Sequence, residues 1–86
     1  MSGATQTIQL IERNLRAMRA TDPPQWSVGL TSDPDGTEAE LGYPPFWRFW
    51  TAESPAEARE VKAFFVAKGM RDKGERGRRP IHVYLH

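Results

Sequence analysis

Ser54-Pro55-Ala56-Glu57-Ala58-Arg59-Glu60-Val61-Lys62-Ala63-Phe64-Phe65-Val66-Ala67-Lys68-Gly69-Met70 carries the plainest local code in the chain. Serine is a good N-cap and proline suits the first helical position. Glutamate three residues after the serine completes a capping box. These signals predict a helix from Ser54 to about Lys68. Ala58, Val61 and Phe65 form its inner stripe, with Phe64 beside it. Gly69 suits a left-handed terminator, and Met70 is placed to fold back onto the last turn.

The segments on either side read as strands. Downstream, Ile81, Val83 and Leu85 alternate with His82, Tyr84 and His86. Upstream, Phe46-Trp47-Arg48-Phe49-Trp50-Thr51 is rich in rings, which favour strands. Rings on both of its faces predict a central strand or one covered on both sides, with most of those rings in the core. Further back, Trp26, Val28 and Leu30 alternate with Ser27, Gly29 and Thr31, as in a strand with one buried face. Ser32-Asp33-Pro34-Asp35-Gly36 reads as a turn, Thr37 to Leu41 as a short helical piece, and Gly42-Tyr43-Pro44-Pro45 as a second break.

At the start, Ile8, Ile11, Leu15 and Met18 make one apolar stripe of a helix over 5–20, widened by Leu10 and Ala17. Thr21-Asp22-Pro23-Pro24 ends it. The expected order is α-β-(short α)-β-α-β. This is an α/β (α+β) two-layer sandwich of a three-stranded sheet and two main helices, in a single domain over 1–86. If the last two strands are parallel neighbours, the Ser54–Lys68 helix is a right-handed crossover between them.

Composition narrows the function classes. Eighty-six residues with 38% hydrophobic content support one core. The chain has no cysteine, which excludes disulfides, thiolate catalysis and cysteine-based zinc sites. With no basic start and apolar block after Met1-Ser2-Gly3-Ala4, and no long apolar run, the expectation is a cytoplasmic protein without a membrane span.

Charge is uneven. The net charge is +1, yet residues 1–67 carry an excess of three acidic groups and residues 68–86 an excess of four basic ones. Residues 70–80 read as a basic, glycine-punctuated loop. Lys68, Arg71, Lys73, Arg76, Arg78 and Arg79 crowd this region, diluted by Asp72 and Glu75. Each such cation that meets a phosphate releases counterions. Exposed rings such as Tyr84, Trp47 or Tyr43 would stack on bases.

Other constellations fail on chemistry. Around Asp33-Pro34-Asp35-Gly36, a calcium loop would put Thr31 first and Gly42 twelfth, where carboxylates are required. Gly69, Gly74 and Gly77 follow a helix instead of preceding one, so no helix N-terminus faces an anion. His82 and His86 stand roughly 13 Å apart along a strand, too far to chelate one ion. No nucleophile motif is present. The reading has no catalytic residue, no metal site and no cofactor.

Two segments resemble a known family. Trp26-Ser27-Val28-Gly29-Leu30-Thr31-Ser32-Asp33-Pro34 looks like a strand and turn of GIY-YIG-like domains, and Ala58-Arg59-Glu60-Val61-Lys62-Ala63-Phe64-Phe65 is similar to their later helix. Lys68-Gly69-Met70 and Val83-Tyr84 also resemble small bacterial proteins of that type. The resemblance implies a fold over residues 26–85. GIY-YIG nucleases need tyrosines, a helical arginine and a metal-binding glutamate. Here Ser27 stands at a tyrosine position, Asp35 to Glu40 contain no arginine, and Lys62 stands at the glutamate position with Glu60 half a turn away. A lysine offers a cation no acceptor.

Two function classes stay open. One is a non-enzymatic module binding nucleic acid or another polyanion through Lys68, Arg71, Lys73, Arg76, Arg78, Arg79 and Tyr84. The other is a protein-interaction or oligomerisation module, including a homodimer, that uses the aromatic strand. A divergent GIY-YIG-type nuclease is the third and weakest.

Overall fold

The computed structural model describes residues 3–17 and 25–86. In chain order these form α1 (Gly3–Ala17), β1 (Ser27–Thr31), α2 (Pro34–Glu40), β2 (Arg48–Thr51), α3 (Pro55–Ala67), β3 (Arg71–Arg76) and β4 (His82–Leu85). The strands make one mixed sheet in the order β2-β4-β1-β3. β1 runs parallel to β3 and antiparallel to β4, and β2 is antiparallel to β4.

The helix read most directly from sequence forms as expected. Ser54 Oγ accepts the Glu57 amide at 3.2 Å, with Pro55 in the first turn. The Glu57 carboxylate reaches back one residue further than a standard box, to the Glu53 amide. Ala58, Val61 and Phe65 are buried, and Phe64 packs against them. Gly69 takes φ +112, and Met70 folds back, buried, with its amide on the Phe65 carbonyl.

One core lies between the α1/α3 layer and the sheet. Ala4, Ile11 and Leu15 of α1 and the α3 stripe meet Val28, Leu30, Val83 and Leu85. Leu10 does not widen the α1 stripe, because it is 49% exposed. Met18 and the expected stop at Thr21-Asp22-Pro23-Pro24 lie outside the described residues.

Four expectations are corrected. The sheet has four strands, because the expected loop at 70–80 contains β3. Its composition, Arg-Asp-Lys-Gly-Glu-Arg, is a poor strand former. The strand forms because β1 is buried along its whole length. Backbone groups on the side of β1 away from β4 need partners, and β3 supplies them. Its ends are fixed by the Arg71 amide on the Trp26 carbonyl and the Ser32 amide on the Arg76 carbonyl, each 3.0 Å.

Next, the aromatic strand is β2, an edge strand with Arg48, Phe49 and Thr51 exposed. Of the four rings in this stretch, Phe46, Trp47, Phe49 and Trp50, only Trp50 packs on the core. The two expected last strands, β2 and β4, are neighbours but antiparallel, so α3 is no crossover between them. It carries the chain from one sheet edge to the other.

Finally, β1 and β4 are covered on both faces. On the face away from α1 and α3, the Thr31 and Thr37 hydroxyls meet at 2.7 Å under α2. Tyr84, on the same face, is fully buried beneath Trp47, whose ring stacks on it at 5.0 Å. Gly29 is required there, since a Cβ would run into the Tyr84 hydroxyl. The short helix begins earlier than Thr37, with Asp33 as N-cap and Pro34 in its first turn.

Candidate polyanion-binding surface

β3 alternates basic and acidic residues, and a strand sends alternate side chains to opposite faces. With strict alternation, residues 71, 73 and 75 would share one face, mixing Glu75 with Arg71 and Lys73. A bulge prevents this. Asp72 pairs with Val28 and Glu75 with Leu30, so Lys73 and Gly74 together oppose Gly29. The extra residue returns Glu75 to the face of Asp72. Gly74 supplies the geometry at φ +79, which L side chains rarely adopt. Its amide donates to Asp72 Oδ1 at 2.7 Å.

The face of β3 toward α3 is therefore acidic, and α3 neutralises it. Lys62 Nζ lies 3.2 Å from Asp72 Oδ1. Arg59 donates to Glu75 through Nε and Nη2 at 3.0 to 3.2 Å. The Gly74 amide, helped by Lys62, holds the Asp72 carboxyl below its usual range. Arg59 does the same for Glu75.

The opposite face is basic. By register Arg71 lies opposite Ser27 and Arg76 opposite Thr31, on the side of Tyr84 and His86. In the bulge Lys73 lies opposite Gly29, on that side as well. The His86 pKa is depressed by burial first, then by the charges of Lys73 and Arg76. Arg71 and Lys73 are exposed, as are Arg78 and Arg79 in the turn that follows. None of these four has a carboxylate partner among the described residues.

The other three expected site residues are placed differently. Arg76 is paired with Glu40 of α2. Lys68 caps α3 with its ammonium 5.3 Å from the Phe64 ring centre. Tyr84 cannot stack on a base, because it is fully buried. Burial raises its pKa; Arg76 opposes this by its charge and by an approach short of a well-formed hydrogen bond. Of the three rings expected to stack on bases, Tyr84, Trp47 and Tyr43, only Tyr43 is exposed, at 69%.

A cleft of about 340 Å³ separates α2 from the end of β3, lined by Thr31, Ser32, Asp33, Thr37, Glu40 and Arg76 with two glycines. Two carboxylates against one guanidinium make it a poor anion pocket, so the exposed row on β3 is the better candidate. Among the described residues no group of three or more metal-ligating side chains comes together, and no helix is long and apolar enough to cross a membrane.

Sequence reasoning missed Arg59, Lys62 and Glu40 as partners and Gly74 as the bulge. The signal was the alternation of sign along Arg71-Asp72-Lys73 and its interruption at Gly74 before Glu75-Arg76. Comparison with protein-family models, with curated proteins and with solved structures finds no match to this chain.

Proposed function

We propose that the protein is a non-enzymatic module that binds nucleic acid or another polyanion along the basic face of β3. Arg71 and Lys73 make the first contacts, and Arg78 and Arg79 extend them past the strand. The reading is carried by the separation of charge across β3. Asp72 and Glu75, which dilute the cluster in sequence, are turned toward α3 and occupied by Lys62 and Arg59. A polyanion approaching the other face meets cations without those interspersed carboxylates. Arg76 joins such a contact if phosphate displaces Glu40, an exchange favoured by the exposure of that ion pair.

The test is fluorescence anisotropy with labelled single- and double-stranded oligonucleotides and with heparin, between about 50 and 200 mM salt. Four phosphate contacts predict a log–log salt slope of about −3 on a single strand. The double variant Arg71→Glu/Lys73→Glu is expected to lose at least about tenfold in affinity and to flatten the slope. Absence of binding at low salt, or binding indifferent to salt, removes this reading.

A further inference from the structure

The segment joining α2 to β2 crosses the basic side of the sheet and carries one ring outward. At its start, Glu40 is paired with Arg76 at the end of β3. At its end, the Trp47 ring stacks on Tyr84, whose hydroxyl lies where a Cβ of Gly29 would be, opposite Lys73. Both anchors therefore lie on the face that holds Arg71, Lys73 and Arg76. Tyr43 stands between them and is 69% exposed. Its ring meets no other ring among the described residues.

The backbone holds Tyr43 in place. The Gly42 and Tyr43 amides close the end of α2 on the Ala39 and Glu38 carbonyls, at 3.0 and 2.9 Å. Tyr43 takes φ +53, the left-handed region that a large L side chain rarely adopts. Every other described residue with positive φ is a glycine. Pro44 and Pro45 follow and stiffen the chain. Glycine or asparagine would fit position 43 with less strain and would expose no ring to water. Tyr43 is not part of the core cluster. Strain of this kind persists mainly where a site makes use of it.

We propose that Tyr43 is a stacking platform for an unpaired base, so that the ligand of the basic face is single-stranded nucleic acid. This rests on the polyanion reading above and narrows it. Phosphates supply salt-dependent contacts to Arg71 and Lys73, while a base of the same strand lies on the Tyr43 ring. A duplex keeps its bases stacked inside, and a sulfated polysaccharide has none, so neither uses this ring. Because the turn is already fixed, stacking orders little of the protein.

The test is an anisotropy titration of the full chain against a single strand, an abasic strand with the same phosphates, a duplex and heparin. The single strand is expected to bind at least about tenfold more tightly than the abasic one. Running it as DNA and as RNA identifies the source by the tighter of the two. Tyr43→Asn removes the ring and supplies a residue that tolerates this backbone. It is expected to erase the preference for bases and to leave heparin affinity and the salt slope unchanged, which also shows that the variant is folded. Tyr43→Trp is expected to keep the preference. Equal affinity for intact and abasic strands, or a preference that survives Tyr43→Asn, overturns the proposal and leaves the basic face standing. A Tyr43→Asn loss as large on heparin or duplex as on the single strand does the same. Failure to bind any probe removes the basic face as well.

Discussion

The two edge strands of this sheet solve the same problem in opposite ways. β3 is built from residues with little strand preference, and β2 from residues with a strong one. Yet β3 is the more heavily protected edge. It holds its place through the backbone of β1, its acidic side chains on α3, and a glycine bulge. β2 is held by β4 and by Trp50, and its outer backbone is left unoccupied among the described residues. An edge made of charge repels another strand and attracts a polyanion. An edge made of rings and uncharged backbone invites another strand. Local composition predicts which residues form a strand less well than it predicts what a strand will do once tertiary contacts have placed it.

The comparison breaks most completely at the centre, where both edges are anchored. Gly29→Ala forces a Cβ into Tyr84 between β1 and β4. A loss of about 3 kcal/mol is expected in urea denaturation, with both edges disordered together. If the loss is negligible, the close approach of Tyr84 is not what holds the two central strands.

Gly74→Val tests the bulge alone. The side chain must adopt φ near +79 or remove the extra residue. The expected cost is about 1–2 kcal/mol. Oligonucleotide affinity should fall with it, because Glu75 would share a face with Lys73.

Arg59→Ala sharpens the contrast with a smaller effect. Thermal stability should hardly move, because the pair with Glu75 is solvent-exposed. Polyanion affinity should decrease, since the Glu75 carboxylate is left uncompensated near the basic face. An equal decrease in an Arg59→Ala/Glu75→Gln double variant would show that Arg59 touches the ligand itself.

The smallest expected effect is a pH dependence that separates the two faces. His86 has a depressed pKa in the folded state because burial and the cations Lys73 and Arg76 disfavour its charged form. The unfolded chain then binds more protons, so stability is full above about pH 6.5 and declines as pH falls below it. Asp72 and Glu75 also have depressed values, but their contribution is lost only as pH falls below the ordinary carboxylate range of about 4. Melting curves from pH 8 to 3 should show two steps. Substituting His86 by glutamine should remove the upper one and leave the lower.

Much of the fold was legible in the chain. Ser54, Pro55, Glu57 and Gly69 defined α3 because caps and terminators act within a few residues. Val28, Leu30, Val83 and Leu85 declared the core face of two strands by their spacing. The cations of the candidate surface were equally visible. What could not be seen was which of them would be neutralised: Arg76 meets a glutamate thirty-six positions earlier, and Asp72 and Glu75 meet a helix ten to sixteen positions before them. Tyr84 reads as an exposed ring of an alternating strand, and it is buried because Trp47 and the α2 region cover a face that period-two spacing alone would leave to water.

By itself the sequence determined where helices and strands begin and end wherever the signal is local, and where positive charge accumulates along the chain. Only the tertiary structure decided that residues 71–76 form a strand, which edge each strand occupies, and which face of β3 remains positive. The reason is that caps and spacing act over a single turn or a few strand residues. Strand pairing and ion pairing instead depend on partners that the folded backbone brings together from distant parts of the chain.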